Sequence, residues 1–301
     1  MKTPPYINIV LECIFRYNAN IGGFFMRKIF ILLLFVIIFL ILKSYAYQYE
    51  IPVCITFNGE YIDFADNPQI IDGTTYLPVR FFCEALDATV DWQNETKTVT
   101  VNFKSDEIIF NIGSLTAYVN GTPETINGTA KIIDGKTYLP VRFIVESLGG
   151  SIIWENEYYR ASITMENINF PDEKVTTRGY GDDEIYWLAK IISSESEDEP
   201  IMGKVAVGNV VLNRVYSEEY PDTIYSVIYD NKFGYQFQPV ENGSINKEPV
   251  QEAYLAAKLC LEGENVVGNC KYFLNPKIST SNWIPLNKSY YTTIGNHDFY
   301  Y

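Results

Sequence analysis

The run Ser193-Ser-Glu-Ser-Glu-Asp-Glu-Pro200 places several carboxylates directly after a stretch whose apolar residues fall on one helix face. Ile185, Leu188, Ala189 and Ile192 keep the i, i+3, i+4, i+7 spacing, which predicts a helix here. At about 100° per residue, Glu195 lies in line with Leu188, on the edge of that apolar face. Apolar neighbours disfavour a charged carboxylate, so the Glu195 pKa is expected to rise toward neutrality. A carboxyl that keeps its proton near neutral pH is what protonating a glycosidic oxygen requires. Taken alone, such a run is more often a solvated loop, because perturbed carboxylates are the minority. Glu199 is the internal competitor. Pro200 pushes it out of the helical region and suits the first turn of a following helix, with Asp198 or Glu199 as its acidic end. Glu199 is therefore expected to be structural.

The element after Pro200 must hold this corner in place. Val205-Ala-Val-Gly-Asn-Val-Val-Leu-Asn-Arg214 is apolar nearly all round, which predicts a wholly buried helix. Further on, Gln236, Phe237 and Gln238 form a polar-aromatic loop after Gly234, where amides can bond sugar hydroxyls and acetamido groups. Asn275 and Trp283 offer the same chemistry and a stacking face, and Tyr272 another aromatic surface. The chain is 15% aromatic, so Phe237, Tyr272 and Trp283 serve equally well as core residues. His297 is the only histidine, which excludes His-rich zinc centres. Cys260 and Cys270 lie in no nucleophile motif that would pair with it. His297 is expected to be structural or to line the substrate site, and no metal or cofactor is expected.

Residues 183–301 resemble the catalytic domain of SleB-type cell-wall hydrolases, the spore cortex-lytic family. The matching pieces are Leu188-Ala-Lys-Ile-Ile192, Glu195-Ser196 with Glu199-Pro200, and Gly203-Lys-Val-Ala-Val-Gly-Asn-Val-Val-Leu-Asn-Arg-Val215. They continue with Tyr235-Gln-Phe-Gln-Pro-Val240, Tyr272-Phe-Leu-Asn-Pro276, Trp283 and Ile294-Gly-Asn-His-Asp-Phe-Tyr300. The resemblance implies an α+β, lysozyme- or lytic transglycosylase-like domain acting on peptidoglycan, with Glu195 as the acid/base. One glutamate suffices for such a reaction. It protonates the leaving oxygen and then takes the proton of the muramic acid C6 hydroxyl, which attacks the anomeric carbon internally. The attacking group is tethered, so little entropy is lost in bringing it in. Ser196-Glu-Asp198 departs from the small and basic residues common after the family's glutamate.

Residues 50–165 contain a repeat. Ile70-Ile-Asp-Gly-Thr-Thr-Tyr-Leu-Pro-Val-Arg-Phe81 recurs as Ile132-Ile-Asp-Gly-Lys-Thr-Tyr-Leu-Pro-Val-Arg-Phe143, and Trp92 recurs as Trp154, both 62 residues on. Asn58-Gly59 recurs as Asn120-Gly121. Each copy reads as a hairpin turning at Asp-Gly, then a short helix opened by Pro78 or Pro140, then a second hairpin. Val79, Phe82, Cys83 and Leu86 mark the apolar face of the first helix. In the second hairpin Val99, Val101 and Phe103 alternate with Thr98, Thr100 and Asn102. The block resembles the copper amine oxidase N-terminal-like domain of exported bacterial proteins. That name implies no metal here, since 50–165 hold no histidine and Cys54 and Cys83 make no copper cage. Arg80 with Glu84, and Arg142 with Glu146, read as exposed ion pairs. Adhesion to wall or a partner is the expected task of the module, and residues 166–182, rich in turn formers, read as a linker.

Net charge is −14 with a pI near 4.6, which leaves no electrostatic footprint for nucleic acid. Acidic wall polymers would not be attracted at long range, so affinity for them must be local. Ile29–Leu42 are 14 consecutive apolar residues after Met26-Arg-Lys. As a helix they span about 21 Å, short of a roughly 30 Å hydrocarbon core. With Ala46 they read as a secretory signal peptide over 26–46, an uncleaved anchor being the alternative. Residues 1–25 then precede the true start, and the mature protein is secreted or held in the cell wall or spore envelope. Export permits disulfides, with Cys54–Cys83 and Cys260–Cys270 as same-domain pairs or as free thiols. The rivals to a glycan-cleaving enzyme are an amidase cutting the muramoyl–alanine bond and a wall-binding protein without activity.

Overall fold

The computed structural model describes residues 51–301 apart from Phe233. The expected early start at 1–25 and the expected signal at 26–46 lie outside the described residues. Among the described residues no helix is long and apolar enough to cross a membrane.

The repeat folds as its pattern demands. The first copy runs β1 (Cys54–Phe57), β2 (Glu60–Ile62), β3 (Gln69–Ile71), β4 (Thr74–Pro78), α1 (Val79–Ala85), β5 (Thr89–Gln93) and β6 (Thr98–Phe103). The second runs β7 (Asp106–Asn111), β8 (Thr116–Val119), β9 (Thr122–Thr125), β10 (Lys131–Ile133), β11 (Lys136–Pro140), α2 (Val141–Ser147), β12 (Ser151–Glu155) and β13 (Arg160–Thr164). Asp72 and Gly73 turn the β3–β4 hairpin at φ +50° and +74°, and Asp134 and Gly135 turn β10–β11 at +49° and +78°. Two successive positive φ values match the strand twist, which is why Asp-Gly occupies both turns. The central hairpins of the two copies pair through β4 and β11, with Leu77 opposite Leu139, in a four-stranded sheet β10-β11-β4-β3. β5-β6-β7-β8-β9 form a separate five-stranded meander. A second five-stranded sheet joins the first strand of the repeat module to its last through parallel β1–β13 pairing. Val79, Phe82, Cys83 and Leu86 of the first helix are buried, as are Val99, Val101 and Phe103.

The stretch read as a linker packs closely on this module. Phe170 enters its core against Phe57, Phe81 and Phe82, and β14 (Val175–Thr176) pairs with β2 as an edge strand. Arg160 then bridges to the next domain, donating to Asp182 at 3.1 Å and to Tyr61 at 2.6 Å. Lys258 reaches back to Cys54, Nζ to Sγ 3.4 Å.

Three helices build the second domain: α3 (Asp182–Ser196), α4 (Ile201–Val215) and, after α5 (Ile224–Ile228) and α6 (Gln238–Asn242), α7 (Gln251–Leu261). α3, α4 and α7 pack pairwise, and Gly203 to Leu212 of α4 are buried without a break. Gly208 makes this approach possible, because a Cβ there would lie 2.7 Å from Cys260 Sγ and 2.8 Å from Ile192 Cδ1. The loss of about 1 kcal/mol for glycine in a helix is offset by the burial of residues worth roughly 1.5–3 kcal/mol each. β15 (Tyr272–Leu274), α8 (Trp283–Asn287), β16 (Tyr290–Ile294) and β17 (His297–Tyr300) complete the chain, the strands in the order β15-β17-β16. Neither disulfide forms. Cys54, Cys83, Cys260 and Cys270 are free thiols, the last three being buried in apolar surroundings that hold the thiols protonated.

Candidate active site

Glu195 lies in the last turn of α3, whose buried face is formed by Ile185, Leu188, Ala189, Ile191 and Ile192. The turn is held from outside. Lys204, buried on α4, donates Nζ to the carbonyls of Glu197 at 2.9 Å and Glu199, satisfying acceptors left open at the helix end. Burial pushes the Glu195 carboxyl up to about 7, while the Arg214 charge and the Gln238 backbone N–H pull it back in part.

Arg214 closes α4 and was not among the residues singled out from sequence. Its guanidinium is buried, 4.9 Å from the Phe237 ring, 5.3 Å from Tyr220 and 5.8 Å from Tyr272. Nε donates to the Lys271 carbonyl at 2.8 Å, and Nη1 is buried without a hydrogen-bond partner. An orphaned charged donor is costly unless something supplies an acceptor. Tyr272 extends the wall: its hydroxyl is 3.1 Å from that of Tyr220, its ring is 6.2 Å from Trp283, and Lys288 Nζ sits 4.1 Å from its centroid. Trp283 is 54% exposed, leaving its face open to a ligand.

The residues expected to bind substrate therefore divide. Tyr272 lies beside Arg214, Trp283 adjoins Tyr272, and Gln238 meets Glu195 through its backbone. Phe237 does not face a substrate: its side chain is fully buried beside the Arg214 guanidinium and serves as a core ring. The rest make local or separate contacts. Gln236 donates to the Gly234 carbonyl at 3.2 Å, and Asn275 Oδ1 accepts the Lys277 N–H at 3.0 Å. His297 belongs to a second corner. Its ring packs on Phe273, with Nδ1 3.6 Å from Glu199 Oε1, and burial lowers its pKa, which favours the neutral ring. Glu199 is buried and accepts Asn296 N–H at 3.0 Å and Asn296 Nδ2 at 2.9 Å. Gly295, at φ +62°, wraps that turn onto the carboxylate so tightly that a Cβ would lie 1.7 Å from Oε2. Arg214, Tyr220 and Lys288 are the site residues that sequence reasoning missed. The available signal was a lone arginine in an otherwise buried helix.

Among the described residues no three His, Cys, Asp or Glu side chains converge as a metal site, and the module offers no imidazole for copper.

Residues 56–163 match the Copper amine oxidase N-terminal domain family and residues 198–300 match the Cell Wall Hydrolase family, the latter match starting three residues after Glu195. The spore cortex-lytic enzyme of Bacillus cereus is 35% identical over 131 residues, 43% of this chain and 49% of that protein. That of Bacillus subtilis is 31% identical over 121 residues, 40% of this chain and 38% of that protein. This chain thus spans about half or less of the relatives it matches. A solved catalytic domain of the germination-specific lytic transglycosylase SleB from Bacillus anthracis is 34% identical, covers 42% of this chain and 100% of its own, and superposes with a TM-score of 0.38. The chain joins a copper amine oxidase N-terminal domain to a cell wall hydrolase domain of the spore cortex-lytic type.

Proposed function

We propose that the protein is an exported enzyme that cleaves the glycan strand of peptidoglycan, in spore cortex or cell wall, with Glu195 as its single acid/base. The observation that carries this reading is the half-buried Glu195 carboxyl, pushed up to about 7 beside the buried Arg214. Protonated, Glu195 gives its proton to the glycosidic oxygen as the bond to the anomeric carbon breaks. The carboxylate left behind faces the positive charge developing on the sugar ring, and Arg214 offsets the new negative charge. Glu195 then takes the proton of the C6 hydroxyl as that oxygen bonds the anomeric carbon, closing a 1,6-anhydro ring. The proton returns to its starting place and no water is consumed. Arg214 Nη1 supplies a donor for a substrate oxygen, such as an acetamido carbonyl, and the Trp283 and Tyr272 rings give the sugar a face to lie on. Mass spectrometry of muropeptides released from purified cortex and wall tests the reading. Anhydro-muramic ends are the expected product. Reducing ends would mean that water attacks, free stem peptides would mean an amidase, and no release at all would leave a binding protein.

A further inference from the structure

The repeat creates two related grooves, and one of them is the more open. In each, one copy contributes a helix and a tryptophan strand while the other copy contributes its hairpin turn. Around the first lie Arg80, Phe81 and Trp92 from copy one and Lys136 from copy two, joined by Lys97 and Lys174. The equivalents in the second are Arg142 for Arg80, Trp154 for Trp92, Thr74 for Lys136 and Tyr159 for Lys97. Tyr159 sets its edge against Trp154, with centroids 6.3 Å apart at 89°. Asn156, beside it, is tied to Gln251 of the helical domain by bonds of 2.6 and 2.8 Å. The second groove measures about 350 Å³ and the first about 640 Å³.

The open groove also differs in charge. Arg80 is paired with Glu84, and Lys136 with Asp66. Neither Lys97 nor Lys174 is paired with a carboxylate among the described residues. Lys97 bonds Asn94 at 2.8 Å and lies 5.7 Å from the Trp92 centroid, and Lys174 lies 4.4 Å from that of Phe81. Four cations against two carboxylates make a local positive excess on a chain of net charge −14. Trp92 is 37% exposed at its side.

We propose that this groove is a second saccharide site, binding a peptidoglycan strand through a sugar ring on Trp92 and stem carboxylates on Lys97 and Lys174. Exposed aromatic faces take sugar rings, and unpaired cations select anionic ones. The site supplies the local attraction that the overall acidity denies. The choice of peptidoglycan as occupant rests on the proposed function, and holding the strand here would keep the enzyme on its insoluble substrate.

The test uses the 51–301 chain carrying Glu195→Gln, so that substrate survives, and measures binding to sacculi stripped of phosphate polymers. Trp92→Ala and the pair Lys97→Glu with Lys174→Glu are each expected to weaken binding at least ten-fold. Trp154→Phe should leave it unchanged. In a background with intact Glu195, the same groove variants should still cleave soluble glycan fragments at the wild-type rate, which separates this site from the catalytic one. The lysine pair lies at the surface, so it remains informative if Trp92→Ala unfolds, as judged by circular dichroism. Unchanged binding with the lysine pair, equal affinity for neutral chitin oligosaccharides, or loss of binding once phosphate polymers are stripped would overturn the proposal.

Discussion

Glu195 and Glu199 stand four residues apart on either side of one helix end, and their surroundings differ in kind. Glu199 is wrapped by the Gly295–Asn296 turn and accepts both nitrogens of Asn296. Glu195 meets apolar helix neighbours, with a backbone N–H and the Arg214 charge as its compensation. Burial is common to both corners, and the supply of donors is what separates them. A carboxylate provided with donors becomes a structural clamp, whereas one left short of them holds its proton and becomes available for transfer.

The sharpest way to break this contrast is to remove each carboxyl's charge in turn. Glu195→Gln should keep the fold by circular dichroism and lower kcat/KM for peptidoglycan by about 10²–10⁴-fold, toward the upper end for a sole acid. Retained activity would remove Glu195 from the chemistry. Next in size is Arg214→Met, which deletes the orphaned donor and the cation facing Glu195. A charged hydrogen bond worth about 1.5–3 kcal/mol corresponds to roughly a 10–100-fold loss. Because Arg214 lowers the Glu195 pKa, the alkaline limb of the pH–rate profile should also move upward. A merely structural arginine would leave that limb in place.

Glu199→Gln should affect stability instead. It turns an amide toward donors that now bond a carboxylate, costing about 2 kcal/mol and several degrees of Tm. The variant, once folded, should cleave within a few-fold of wild type. The smallest effect is a pH signature. Between pH 4.5 and about 7 folded Glu195 binds more protons than the unfolded chain, so it lowers stability as pH rises through that window. Glu195→Gln removes this loss and should be stabilised relative to wild type by roughly 1–2 kcal/mol more at pH 8 than at pH 4, allowing for partial hydration. Equal differences at both pH values would mean the carboxyl ionises freely.

Much of this was legible in the chain because local periods carry it. The Ile185–Ile192 spacing places Glu195, Asp-Gly fixes both hairpins, and Pro200 marks the next helix. What escaped depends on contacts between distant segments. Phe170 and the two-residue strand β14 dock the stretch after the repeat onto the module, and no period signals a single aromatic plug. Tyr220 reaches Arg214, and Lys288 reaches Tyr272, only through tertiary packing, and Gln236, Asn275 and His297 have site-like chemistry but bond elsewhere. The cysteines show the same limit, since compartment and count permit bridges that geometry does not make.

The most direct test of the contrast is a carboxyl carbon NMR titration of the 51–301 chain with labelled glutamate, the Glu195 resonance being assigned by its absence in Glu195→Gln. The expected result is a carboxyl titrating at about 7, moving upward in Arg214→Met. A resonance titrating near 4.5, unshifted by loss of Arg214, would contradict the assignment of Glu195 as the proton donor.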